Sequence, residues 1–360
     1  MLEVSLTALD FAYPAFTLNV TTRFARGTHT AIVGPPASGA STLLRLIAGE
    51  LRPRGGEIRI GTRVVNSLKT SRRPLLYVTS SIDVSSRWSV QHALVAAVRG
   101  RTLDREDRHR EYALAVEQWR LGALLERKIA TLSSTERVLV QIARIELLKP
   151  GIVIADRLFE SVNPSLLASL VDDFHRMLRV IGATVITAPS SAHELGLTDR
   201  VIVLRDGRIV QEGSAADVFA HPIDEAAAMA TGEVNAIPVT IRGNVVDSAI
   251  GEWRVDVPPF AGDGIAIARP DDFTIAAKGE DSDLIFGVEE ASFRDGRWHL
   301  RGLLSGGVVL RVAVARDANV HKGRLLALRY DPSRFRLIPG GTAPLLTIPT
   351  DVVPSLRDSR

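Results

Sequence analysis

Residues Thr28 to Gly49, THTAIVGPPASGASTLLRLIAG, constrain the chain more than any other stretch. Thr28 to Val33 reads as a short buried strand, Gly34 to Gly39 as a Gly/Pro/Ser turn, and Ser41 to Ala48 as the first turns of an apolar helix. Strand, glycine loop and helix make the frame of a phosphate-binding loop, in which backbone N–H groups and a helix N-terminus face an anion. The motif asks for Gly-x-x-x-x-Gly-Lys-Ser/Thr. Gly34, Gly39, Ser41 and Thr42 fit it, and the lysine position is Ala40. The residue that would carry the positive charge is therefore missing. The competing reading is an ordinary tight turn between a strand and a helix.

The rest of the composition narrows the options. A chain of 360 residues has room for two domains. With 46% hydrophobic and 24% charged residues it is ordinary for a globular protein. A net charge of +3 and no Lys/Arg block give no reason to expect nucleic acid as a partner. The absence of cysteine excludes disulfides, thiol catalysis and cysteine metal sites. The opening MLEVSLTALD has no basic n-region and no long apolar run, so no signal peptide is expected. No apolar run is long enough to span a bilayer as a helix.

In chain order, Leu2–Leu9 and Phe16–Val20 read as strands joined at Tyr13-Pro14. Glu57–Ile60 and Arg63–Val65 flank Gly61 as a hairpin, and Leu75–Val78 is a short strand after Arg72-Arg73-Pro74. Helical spacing covers Val90–Val98, Glu111–Leu125, Ser133–Leu148 and Ser165–Val180. Gly151–Ala155 is a continuous apolar run, as a central parallel strand is, and it ends at Asp156; Ala183–Thr187 reads as a second buried strand. Val201–Leu204, Asp206-Gly207 and Arg208–Gln211 spell a hairpin. Short helices are expected at Ala215–Ala220 and Asp224–Ala230. Beyond Asn235 helical periodicity stops. Short β-rich runs follow at Val239–Val246, Trp253–Val257, Ile265–Ala268, Leu284–Phe293, Trp298–Leu304, Val308–Val314 and Leu325–Tyr330. They suggest a small all-β barrel or sandwich. Residues 341–360 read as a loosely held tail.

With the strand ending at Asp156 in place, the order of elements resembles the ATP-binding subunits of ATP-binding-cassette (ABC) importers of the maltose, molybdate and ferric-ion type. The segments Ser41–Gly61, Thr198–Pro222 and Ile267–Ile275 carry the likeness. The resemblance implies an α/β fold: a P-loop NTPase domain over 1–233, then a C-terminal all-β, oligonucleotide-binding-like domain over 234–340. It implies ATP and Mg²⁺ as cofactors, transmembrane permease subunits as partners, and a homodimer or heterodimer of ATP-binding subunits. It also implies a cytoplasmic place, peripheral on the inner face of the cell membrane.

The same resemblance assigns the site, residue by residue. Nucleotide binding falls on Gly34, Ser38, Gly39, Ala40, Ser41 and Thr42, with Tyr13 as the aromatic stacked on adenine; a core or surface tyrosine is the equal alternative. Mg²⁺ falls on Ser41 and Asp156. The glutamine that contacts metal and water is Ser80, the general-base glutamate is Arg157, and the γ-phosphate histidine is Pro189. The signature Leu-Ser-Gly-Gly-Gln falls on Leu132 to Glu136: Ser133 is kept, both glycines are replaced, by Ser134 and Thr135, and the glutamine becomes Glu136. The aspartate of the loop after Asp156 falls on Asn163. His193 reads as a helix-surface residue. Trp88 falls where a permease is contacted, or is an ordinary core aromatic.

Phosphoryl transfer depends on positioning and electrostatics. Losing one preorganised donor typically costs about 10²–10³ in rate. With lysine, glutamine, glutamate and histidine all replaced, weak or absent ATPase activity is expected. The alternative function is a non-hydrolytic regulatory or scaffold subunit that binds nucleotide or a small anion. In the β domain, Arg269, Arg294, Arg297 and Arg301 either face such an anion or form a solvated basic face.

Overall fold

Strand β3 (His29–Val33) is buried at every residue. So are β7 (Ile152–Asp156) and β8 (Thr184–Ala188). Residues buried on both faces belong in the middle of a parallel sheet covered by helices. In the computed structural model, which describes residues 2–277, 281–294, 296–304 and 307–340, these strands form that centre. The residues cluster into two compact units, Met1–Phe219 with Ala230–Gly232, and Ala220–Met229 with Glu233–Arg360.

The first unit contains two sheets. β1 (Val4–Tyr13), β2 (Phe16–Phe24), β4 (Gly55–Ile60) and β5 (Arg63–Val64) form an antiparallel sheet in the order β2-β1-β4-β5. The second sheet adds β6 (Leu76–Thr79), β9 (Arg200–Arg205) and β10 (Arg208–Gly213), in the order β10-β9-β3-β8-β7-β6. All its pairs are parallel except β9 with β10. The β9–β10 turn places Asp206 at φ 48° and Gly207 at φ 70°. Gly207 is needed there, because a Cβ would lie 1.9 Å from the Thr17 carbonyl oxygen.

The parallel sheet divides two cores by strand alternation. Ile152 and Ile154 of β7 face one core with α1 (Ala40–Ala48), while Val153 and Ala155 face the other. That second core holds α2 (Val90–Arg99), α3 (Arg105–Gln118), α4 (Ser134–Leu148) and α5 (Pro164–Ile181). The expected helix over Glu111–Leu125 is shifted. Asp104 accepts the Asp107 N–H at 2.7 Å and starts α3 earlier. Its C-terminal part is replaced by a short 3₁₀ turn at Gly122–Leu124.

α6 (Ala215–Ala220) and α7 (Glu225–Ala230) lead into the strands of the second unit, ten among the described residues. One antiparallel sheet contains β11 (Asn235–Arg242), β12 (Val245–Ser248), β13 (Gly251–Arg254), β14 (Gly262–Ala268) and β20 (Arg336–Pro339), ordered β13-β12-β11-β14-β20. The other has β15 (Phe273–Ile275), β16 (Leu284–Arg294), β17 (Arg297–Leu304), β18 (Val309–Ala315) and β19 (Leu325–Tyr330), ordered β15-β19-β16-β17-β18. Their inner faces share a core that includes Phe273, Phe286 and Leu328. The run Val239–Val246 is not one strand: Gly243 at φ 61° turns it into the β11–β12 hairpin. The strand expected over Trp253–Val257 ends at Arg254, and β15 and β20 were not expected. The tail expected at 341–360 lies outside the described residues.

Candidate functional site

The loop after β3 and the end of β7 meet. Ser41 Oγ donates to Asp156 Oδ1 at 2.8 Å, across 115 positions of sequence. Gly34 and Gly39 fix the loop. A Cβ on Gly34 would sit 2.1 Å from the Leu204 carbonyl oxygen. Gly39 has φ 101°, and a Cβ there would lie 2.5 Å from the Phe16 ring. Ala37 occupies φ 66° without being glycine, a backbone conformation that costs an L-residue about 1–2 kcal/mol. Ser38 is buried; its N–H donates to the Pro35 carbonyl at 3.0 Å and its carbonyl accepts the Gly207 N–H at 3.0 Å. Ala40 and Thr42 are half-buried in the first turns of α1. Tyr13 is 41% exposed, edge-on to Phe11 at 4.8 Å between ring centres.

The C-terminal end of α1 has a partner that its sequence position did not suggest. Buried Arg73, given no role in the sequence reading, donates to the carbonyls of Leu46 and Ile47 at 2.7 and 2.6 Å. Burial lowers its guanidinium to about 10. It satisfies carbonyls that a helix end leaves open.

Asp156 is buried, and both of its oxygens are taken. Oδ2 accepts from the Tyr77 hydroxyl at 3.1 Å. Tyr77 falls within the expected strand Leu75–Val78 and carries no site role in the sequence reading. Burial, and next the Asp156 carboxylate, push its phenol up, so it is a neutral donor. Arg157 follows Asp156 beyond the end of β7, in the left-handed region with φ 49°. Its side chain pairs with Glu160 at 2.6 Å, both partners being largely exposed. It does not supply the charge that Ala40 lacks.

Ser80 and Pro189 are half-buried. After Pro189, the buried Glu194 gathers the Ser190 N–H and hydroxyl, each at 2.7 Å, and the Ser191 N–H at 3.1 Å. Burial raises its carboxyl pKa. A proline cannot present the donor or acceptor that a histidine would.

The signature segment has turned into a helix cap. Ser133 Oγ accepts the Glu136 N–H at 3.2 Å, and Glu136 Oε2 accepts the Ser133 N–H at 2.6 Å. This is a complete capping box at the start of α4. Glu136 also pairs with Arg127 at 2.9 Å. The hydrogen bond from Ser133 N–H is the main reason its carboxyl pKa is lowered. Thr135 Oγ1 accepts the Asn163 N–H at 3.2 Å, and Asn163 caps α5 through the Ser165 N–H at 3.0 Å. Further along α4, buried Gln141 donates to the Ser81 carbonyl at 3.1 Å and accepts from Arg144 at 2.7 Å.

Mg²⁺ demands near-octahedral oxygen ligands at about 2.0–2.1 Å. Here the two candidate ligands are bonded to each other, the second carboxylate oxygen holds Tyr77, and the glutamine position offers only Ser80. As arranged, Ser41 and Asp156 spend hydrogen-bonding sites on each other and on Tyr77 for which the ion would compete. Among the described residues, no group of three or more His, Asp or Glu side chains is placed to hold a metal. In the β domain, Arg269 is buried and donates to the carbonyls of Ala228 and Glu233 at 3.0 and 3.3 Å. Arg294 pairs with Glu233 at 2.6 Å and Arg301 with Glu289 at 3.3 Å. These three are engaged within the domain and do not converge on an anion.

A parallel sheet with a glycine loop opening onto α1, and with Ser41 against Asp156, defines a P-loop ATPase cassette. The family model "ABC transporter" matches residues 17–159. The molybdate/tungstate import ATP-binding protein of Pyrococcus horikoshii is 28% identical over 82% of this chain and 87% of its own. The sn-glycerol-3-phosphate import ATP-binding protein of Rhizobium meliloti is 30% identical over 71% and 73%. The Fe(3+) ions import ATP-binding protein of Streptomyces avermitilis is 27% identical over 66% and 70%. A solved ABC-transporter cassette in its ADP conformation superposes with TM-score 0.53, at 20% identity, over 65% of this chain and all of that one. The chain belongs to the family of ABC-importer ATP-binding subunits.

Proposed function

We propose that this subunit works in a permease assembly while binding nucleotide weakly and hydrolysing it negligibly. Residues 1–233 act as the nucleotide domain, and 234–340 as the accessory β domain. The observation that carries this is Arg157. It stands where the base would stand, it cannot accept a proton, and it is turned onto Glu160. Ala40, Ser80 and Pro189 remove the remaining charged or amide groups. The loop, Ser38 and the N-terminus of α1 still form an anion-favouring frame for nucleotide, with Tyr13 exposed beside it.

The family's partners are permeases, and membrane attachment through one is part of the proposal: no helix of the described residues is long and apolar enough to span a membrane. A groove of about 920 Å³ between α2 and α3, lined by Val95, Val98, Arg105 and Tyr112, supports a docking face on the helical insertion. Trp88 packs against the core beside it and on His92, ring centres 4.3 Å apart. The scaffold reading has its own support. Glu136 is bonded to Ser133 and Arg127, and Thr135 accepts the Asn163 N–H, all within this chain, at positions where the family signature has a glutamine and a glycine. Calorimetric titration of the purified chain with ATP tests the proposal. Weak binding without turnover supports it. Turnover typical of the family overturns it, and no binding at all leaves only the scaffold reading.

A further inference from the structure

The Asp156 carboxylate is hydrogen-bonded by a residue of the neighbouring strand. β6 and β7 run parallel, with Tyr77 beside Ile154 and Thr79 beside Asp156. Side chains two apart on a strand share a face. Tyr77 therefore lies on the same face as Ile154, Asp156 and α1, and it packs with that core. Asp156 lies two residues further along β7 than the partner of Tyr77. A tyrosine ring pointing along the sheet spans that gap and ends on Oδ2 at 3.1 Å, while Ser41 holds Oδ1 at 2.8 Å.

The charges around the pair explain why two hydroxyls are needed. Position 40 has no ammonium. Arg157 faces elsewhere, bound to Glu160. Arg45, on α1, is paired with Glu50 at 3.1 Å. A buried carboxylate without a cation must be satisfied by hydrogen bonds. Two neutral O–H donors do this, one on each oxygen.

We propose that the Tyr77 hydroxyl closes Asp156 to divalent cations, making nucleotide binding by this chain independent of Mg²⁺. Tyr77 is a positioning residue: it acts through Asp156 and sets which form of the nucleotide, metal-free or metal-bound, the loop accepts. This rests on the nucleotide-binding reading above.

The test compares wild type with Tyr77→Phe, which keeps the ring and removes only the hydroxyl. ATP is titrated calorimetrically in EDTA and in excess Mg²⁺. Wild type should show the same affinity in both, within about twofold, whereas Tyr77→Phe should gain about tenfold or more from Mg²⁺. A tenfold Mg²⁺ effect in wild type, or none in Tyr77→Phe, overturns the proposal. A second measurement uses no nucleotide. The urea midpoints of Tyr77→Phe, Asp156→Asn and the double variant form a cycle. Non-additive shifts support the closed carboxylate, and additive shifts overturn it. If wild type binds no ATP while the cycle is non-additive, the nucleotide reading fails and the closure stands.

Discussion

The loop-and-strand frame around Ser41 and Asp156 differs in an instructive way from the first turn of α4. In the frame, charged groups have been removed, and what remains has drawn together: Ser41 and Tyr77 share one carboxylate. In the helix turn, groups have been added, and the additions bond locally: Glu136 to Ser133 and Arg127, Thr135 to Asn163. Both regions keep the backbone of the family. In both, polar side chains differ from those of the family motif. Backbone shape here is held by glycines, apolar faces and caps, whereas catalysis is held by a few polar side chains. The two sets of residues can therefore change separately.

The largest test of that separation is Gly34→Ala. A Cβ at Gly34 meets the Leu204 carbonyl at 2.1 Å and Ser38 at 2.8 Å. Overpacking of this kind should cost about 2–3 kcal/mol in urea unfolding. A neutral outcome would mean the frame is looser than described, and the contrast with the helix turn would lose its basis.

Acid should separate the two regions next. His29, at the start of β3, and His175, on α5, are in ring contact at 4.7 Å. Burial holds His29 down at about 3 and His175 at about 4, from an ordinary 6.5. Their folded pKa values are depressed, so the unfolded chain takes up protons first. The frame should therefore lose stability as pH falls below 6.5, by about 1.4 kcal/mol per pH unit for each histidine until its folded value is reached. Glu136 works in a lower window. Its folded pKa is also lowered, so its contribution is present above the unfolded value of 4.5 and is lost as pH falls through the folded one. Chemical denaturation between pH 7 and 5 should thus respond to His29→Gln and hardly to Glu136→Gln. Equal responses would erase the distinction.

The smallest effect is Glu136→Ala. Losing the capping box and the Arg127 pair should destabilise the chain by about 1 kcal/mol, read from the urea midpoint. No change would mean that the signature segment is not acting as a cap.

Much of the frame was legible in sequence. The runs at 29–33, 152–156 and 184–188 are short and rich in apolar and β-branched residues, and such runs at strand length belong to a central sheet. The hairpin at Asp206-Gly207 was legible because its turn residues adopt positive φ. The replaced site positions were legible because a motif fixes their spacing. What escaped was set by contacts between segments distant in sequence. Tyr77 reaches Asp156 only because β6 lies beside β7. Arg73 meets the end of α1 only in the folded chain, 26 positions from Ile47. α3 was misplaced because its surface is almost wholly polar, Ala115 being its only buried residue, so periodicity had little to follow.

The most direct measurement is steady-state ATP hydrolysis by the purified wild-type chain, beside a variant carrying Ala40→Lys, Ser80→Gln, Arg157→Glu and Pro189→His. If the backbone frame is intact and only its chemistry is missing, wild type should stay at the buffer background while the variant hydrolyses ATP measurably above it. Hydrolysis by wild type at the variant's rate would contradict the claim that this subunit has kept the fold of its family and given up its reaction.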